Sequence, residues 1–105
     1  MMDNGLSEIT ISKIHGLLKK FPKVEKVILY GSRAMGTYRN GSDIDLTLVG
    51  DLSRETLLKI SWQLDDLMLP YMIDLSLMDD IDNPNLIDHI NRRGQTFYQR
   101  SKVLQ

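Results

Sequence analysis

Apolar residues return every third or fourth position along "SEITISKIHGLLKKF", placing Ile11, Ile14, Leu17, Leu18 and Phe21 on one face. That spacing predicts a helix, with Ser7 as its cap and Pro22 just beyond its end. The next run, "VEKVILY", is dense in branched residues and reads as a buried strand stopped by Gly31. "SRAMG" suits a short helical turn, and "TYRNGS" a turn centred on Asn40-Gly41. "IDLTLV" then alternates, with Ile44, Leu46 and Leu48 on one face and Asp43, Asp45 and Thr47 on the other.

Helical spacing resumes in "SRETLLKISWQLDDLML", capped by Ser53, carrying Glu55 in its first turn and ended by Pro70. Its apolar stripe is Leu57, Ile60, Leu64, Leu67 and Met68. "YMIDLSL" is a third alternating strand, with Tyr71, Ile73, Leu75 and Leu77 opposite Met72, Asp74 and Ser76. A last helix starts at Asn83-Pro84 and closes at Gly94, and "QTFYQ" adds an edge strand. The order α-β-β-α-β-α-β predicts an α/β (α+β) fold: a small mixed β-sheet with helices packed mainly on one face, the other left for a site or partner.

Composition narrows the functional classes. A chain of 105 residues is expected to form a single domain, residues 1–105, with a modest core. Thirteen Lys and Arg against 14 Asp and Glu leave no broad basic footprint, so direct duplex nucleic-acid binding is not expected. The absence of cysteine excludes disulfides and thiolate zinc sites. No apolar run is long enough to span a bilayer, and no basic-then-apolar leader opens the sequence. A cytoplasmic protein with no membrane partner is the expectation.

The chemistry concentrates in "LYGSRAMGTYRNGSDIDLTLVG". Acidic residues are depleted in strands, so Asp43 and Asp45 need a solvated face or a cation. Residues two apart on a strand point the same way, with α-carbons roughly 6.5–7 Å apart. Asp74, the only acid inside the third strand, falls on the same kind of face. If the second and third strands are neighbours, three carboxylates converge, and their repulsion calls for a cation. Hard oxygen donors favour Mg²⁺, which leaves positions open for substrate phosphates. Two such ions roughly 3.5–4 Å apart suit an in-line phosphoryl transfer. Upstream, Gly31 permits a sharp turn, and the amides that follow, with the Ser32 hydroxyl, form an anion-binding concavity. Arg33 and Arg39 lie in the same loop and offer charge-assisted phosphate contacts, or merely surface charge.

Gly-Ser, ten residues, Asp-X-Asp and a third Asp on a later strand together resemble the signature of the polymerase-β-type nucleotidyltransferases. More narrowly, the whole chain resembles the minimal nucleotidyltransferases (the MNT group), which are about this long and lack a separate substrate-binding domain. The resemblance implies the nucleotidyltransferase fold, with Gly31 and Ser32 as triphosphate ligands. It also implies Asp43 and Asp45 as metal ligands and Asp74 as a third carboxylate that binds metal and activates the attacking hydroxyl. ATP and Mg²⁺, as two ions, are the implied nucleotide and cofactor. Many relatives carry a basic residue where this chain has Met35. The implied partner is a separately encoded helical protein of the HEPN or substrate-binding type. In some such pairs it is an RNase toxin, inactivated by transfer of AMP to a tyrosine. The expected function is therefore transfer of AMP from ATP to a partner hydroxyl within a toxin–antitoxin pair. The alternatives are an inert nucleotide-binding antitoxin module and, with few walls for an acceptor pocket, a small-molecule nucleotidyltransferase.

Other polar and apolar features have plainer readings. His15 and His89 read as surface residues, and Asp79, Asp80 and Asp82 as a solvated turn leading into the last helix. Met68, Met72 and Met78 read as core or edge packing. Trp62 falls off its helix's stripe, which fits a partner contact as readily as core packing.

Overall fold

Helix α1 (Glu8–Leu18) begins where Ser7 Oγ accepts the Thr10 amide at 3.1 Å. This satisfies one of the donors that a helix start leaves orphaned. The computed structural model describes residues 4–101. Strand β1 (Lys26–Tyr30) leads into a single turn of helix, α2 (Ser32–Met35), and strand β2 (Ile44–Val49) follows. Helix α3 (Arg54–Asp66) is capped by Ser53 in the same manner as α1, through the Thr56 amide at 3.2 Å. Strand β3 (Ile73–Leu77) runs into a 3-10 turn at Met78–Asp80. Helix α4 (Pro84–Arg93) starts on the Asn83 side chain, which accepts the Asn85 amide at 2.9 Å, and strand β4 (Gln95–Gln99) completes the described chain.

Helix α3 ends earlier than its apolar pattern predicts. Leu67 closes it, and Met68 adopts a left-handed φ of 56° and stands 85% exposed. The Leu67 and Met68 amides bond back to Leu64 and Asp65, each at 3.1 Å, so the last turn tightens and Met68 is thrown off the stripe. Met72 is likewise exposed, so neither methionine packs as the pattern suggested.

The four strands form one mixed sheet in the order β3-β2-β1-β4. Strand β1 pairs antiparallel with β2 and β4, while β2 and β3 run parallel, joined by α3 as the crossover. Val27, Leu29, Ile44, Leu46 and Leu48 are all 1% exposed or less. They meet Ile14, Leu17 and Leu18 of α1 and Ile60 and Leu64 of α3 in a single apolar cluster. Burial of five branched strand residues, each contributing about 1.5–3 kcal/mol, holds this layer together.

The third long helix lies elsewhere. Ile28 and Tyr30 alternate with the core residues of β1 and so face the opposite side of the sheet. A Cβ on Gly94, at the end of α4, would stand 2.6 Å from Ile28 Cγ2, and His89 lies edge-on to the Tyr30 ring. Two helices therefore cover one face, and α4 covers the β1 side of the other. Ile90 is 2% exposed yet lies outside the main apolar cluster, as this placement requires. Strand β4 carries a bulge opposite Val27–Ile28, with Tyr98 paired to Val27 and Thr96 to Ile28. The extra residue lets both Phe97 and Tyr98 bury. His15 is not a surface residue: its Nε2 lies 2.6 Å from the Phe97 carbonyl, and its ring stands edge-on to Phe97 and Tyr98.

Candidate active site

Strand register assembles the acids. Asp45 lies opposite Tyr30 on β1 and opposite Asp74 on β3, so adjacent strands bring the two carboxylates to the same face. Strands in a ladder lie roughly 4.8 Å apart, well within reach of two aspartate side chains. Asp43, two residues before Asp45, precedes the first residue of β2 and is exposed. Asp74 is exposed as well, and Asp45 is half-buried.

Gly31 completes the pocket around Asp45. Its φ of 78° is left-handed, and a Cβ placed on it would collide with Asp45 Oδ2. Only glycine lets this bend form with the carboxylate seated against it. The bend opens α2, where Gly31 O accepts the Ala34 and Met35 amides at 3.1 and 3.2 Å. Those of Ser32 and Arg33 have no acceptor within their own turn, which is the ordinary condition of a helix start.

The electrostatics agree with a shared anionic pocket. Asp45 has its pKa raised from 3.8, first by burial, then by the charges of Asp74 and Asp43. The Tyr30 phenol is raised too, mainly by burial, with the nearby Ser76 side chain opposing and the charges of Asp74 and Asp45 adding to it. Beneath the acids, Ser76 Oγ donates to Thr47 Oγ1 at 3.0 Å, which explains how Thr47 is fully buried without an orphaned hydroxyl. None of the three carboxylates is ion-paired among the described residues, where the salt bridges join Arg54–Asp80, Lys59–Glu55 and Arg92–Asp88.

Among the described residues, no three His, Asp or Glu side chains close into a metal cage of their own. The donor set nevertheless suits Mg²⁺, which is commonly held by one or two carboxylates together with water and substrate phosphates. Hard oxygen ligands, mutual repulsion at Asp45 and the glycine cradle beside it all fit such an ion.

The arginines expected at the phosphates are placed differently. Arg33 is 2% exposed. Its Nε and Nη2 donate to the Ser42 carbonyl at 3.1 and 3.0 Å, and its Nη1 to the Asn4 carbonyl at 2.9 Å. Tyr38 and Tyr71 stack on the guanidinium, with centroids 5.1 and 4.9 Å from Cζ. A planar fork spent on backbone carbonyls and aromatic faces ties the loop together and is not offered to a ligand. Arg39 is exposed and lines a 240 Å³ cleft with Arg33, Tyr38 and Tyr71, a cleft that includes neither Gly31-Ser32 nor the acids. The structure sets Asp45 against Gly31 and in register with Asp74, with Ser32 next to the bend and Asp43 two residues before Asp45, while the Arg33 side chain is engaged by Ser42 and Asn4 instead.

It adds His89, read from sequence as a surface residue. His89 is half-buried, and its Nε2 accepts the Gly31 amide at 3.1 Å. One signal for this was available: His89 follows Leu86 by three positions and precedes Ile90, on the helix face that turns toward the sheet.

Solved structures share this architecture. The chain matches one from a toxin–antitoxin crystal structure with AMP-PNP at a TM-score of 0.68 and 23% identity, covering 90% of this chain and 75% of that one. It also matches the structure of a tri-AMPylated Shewanella oneidensis HEPN toxin in complex with MNT antitoxin. There the TM-score is 0.66 and the identity 18%, over 90% of this chain and 74% of that one. At such identities the likeness is one of fold. No curated protein sequence matches. The family described as "Polymerase beta, Nucleotidyltransferase" matches residues 12–103, nearly the whole chain, with the glycine bend and all three acids inside the match. On that match, the chain belongs to the polymerase beta nucleotidyltransferase family.

Proposed function

We propose that this chain is a minimal nucleotidyltransferase that moves AMP from ATP to a hydroxyl of a separately encoded helical protein of the HEPN type. The observation that carries the reading is Asp45, seated against the Gly31 bend with Asp74 beside it in register. Fold relatives seen with AMP-PNP, and in complex with a tri-AMPylated HEPN toxin, support this nucleotide and this class of acceptor.

Asp43, Asp45 and Asp74 would hold Mg²⁺. When bound, the ion neutralises the triphosphate and makes the attacking hydroxyl more acidic. The Ser32 hydroxyl and the amides of Ser32 and Arg33 hold phosphate oxygens. Asp74 faces solvent, where an incoming acceptor can reach it, and takes the proton of the attacking hydroxyl. The acceptor oxygen bonds to the α-phosphorus, the bond to the bridging oxygen breaks, and pyrophosphate leaves with that electron pair.

A second reading is an inert nucleotide-binding antitoxin module. It is favoured by the withdrawal of Arg33 from the site and by the uncharged Met35 on the same turn, which leave the phosphates without a basic side chain from α2. Incubation with α-labelled ATP, Mg²⁺ and the co-purified partner separates the two. Transfer predicts label on the partner, lost in Asp45→Asn. Stable complex formation and nucleotide binding with no label would instead establish the inert module.

A further inference from the structure

The Gly31 amide is the first donor of the bend that presents Ser32, and it is already occupied from 58 residues away in sequence by His89 Nε2, at 3.1 Å. To accept, Nε2 must be the unprotonated nitrogen of a neutral ring. The imidazole is not free to wander. Its helix is pinned by the buried Ile90 on one side and by the close approach of Gly94 to Ile28. The Tyr30 ring stands across it at 76°, with centroids 6.3 Å apart.

Of the five amides from Gly31 to Met35, three are therefore engaged within the fold: Gly31 by His89, and Ala34 and Met35 by the Gly31 carbonyl. Those of Ser32 and Arg33 are the pair left to a ligand. We propose that His89 is a positioning residue for the nucleotide: by holding the Gly31 amide, it ties the phosphate-binding bend to α4 and aims the Ser32 and Arg33 amides at the triphosphate. This rests on the transferase or nucleotide-binding reading above, in which the Gly31-Ser32 turn holds phosphates. His89 touches the turn rather than the reacting atoms, and its effect falls on affinity for ATP more than on the chemical step. An untethered left-handed glycine samples many conformations, and the nucleotide would have to reorder them on binding.

The test uses side-chain length. Gln Oε1 stands as many bonds from Cβ as His Nε2 and can accept the same amide, whereas Asn Oδ1 matches Nδ1 and falls short. In the full chain, the dissociation constant of ATP with Mg²⁺ is measured by titration calorimetry for wild type, His89→Ala, His89→Asn and His89→Gln. Amide exchange at Gly31 is followed by NMR in the same proteins. The expected result is affinity about tenfold weaker in His89→Ala and His89→Asn, the loss of roughly one hydrogen bond's worth of ordering. Gly31 exchange should be faster in both, and His89→Gln should return to within about twofold of wild type, as one restored hydrogen bond predicts.

Wild-type affinity in His89→Ala overturns the assignment. So does a His89→Gln as weak as His89→Ala, since the ring's packing on Tyr30 would then be what matters. A wild-type chain that itself fails to bind ATP with Mg²⁺ overturns the functional reading, and this assignment with it. The two failures are thus told apart by the wild-type titration alone.

Discussion

The two faces of the same sheet are built on opposite terms. Toward α1 and α3, strands β1 and β2 present Val27, Leu29, Ile44, Leu46 and Leu48, with almost no exposure. One residue along in each strand, the other face presents Tyr30, Asp45 and Thr47, joined by Asp74 and Ser76 from β3. The first face lowers free energy by taking apolar surface out of water. The second gathers negative charge, half-buries part of it and, among the described residues, gives it no salt bridge. A small domain has little stability to spare, and here the apolar layer supplies it while the acid face adds repulsion at Asp45.

Substitutions on either side of one peptide bond break that comparison most sharply. On the proposed function, Asp45→Asn should reduce labelled AMP transfer by on the order of 10²–10³-fold, the scale of removing one preorganised electrostatic contribution to a transition state. The same substitution should leave the melting temperature of the metal-free protein unchanged or higher, because a repelled carboxylate has been removed. A lower melting temperature would mean that the Asp45 charge stabilises the fold. Leu46→Ala, next in sequence but on the other face, should destabilise by about 3 kcal/mol in a denaturant titration. Its folded fraction should still bind ATP with unchanged affinity.

Arg33 tests whether the loop between the two faces is structural. Arg33→Ala should destabilise by about 2 kcal/mol, since the Ser42 and Asn4 carbonyls lose their donors, without altering the folded protein's ATP affinity in calorimetry. A specific loss of ATP affinity in a normally stable Arg33→Ala would restore this arginine to the phosphate site.

A subtler contrast lies in pH. The folded pKa of Asp45 stands above 3.8, so between that value and the folded pKa the native state binds more protons than the unfolded one. The unfolding free energy then falls as pH rises through this window and is flat above it. Denaturant midpoints without metal should show wild type losing ground to Asp45→Asn as pH increases across the window, with Mg²⁺ narrowing the gap. A gap independent of pH would remove the electrostatic account. The smallest effect is expected on α3, where Trp62 is 63% exposed: Trp62→Ala should change stability by no more than about 0.5 kcal/mol.

Much of this was legible without coordinates. Ser7, Ser53 and Asn83 announced three helix starts, because a cap is a local hydrogen bond between neighbours. Alternation in β2 and β3 divided core from acid face, because side chains on a strand point to opposite sides by geometry alone. Glycine, serine and three aspartates at their spacing were enough to nominate the site. Arg33, His15 and His89 were misread for a common reason. Each is defined by a partner distant in sequence: Asn4 and Ser42 with Tyr71, Phe97, and Gly31.

By itself, then, the order of residues determined the helices, the strands, their apolar faces and which acids would share a side. Tertiary structure alone decided that β2 lies between β1 and β3, that α4 crosses to the acid face, and that an arginine in the loop turns inward while a histidine comes to the bend. The division follows the range of the forces involved. Capping and alternation act over a few residues, whereas register, stacking and a hydrogen bond between separate elements exist only once the chain has folded back on itself.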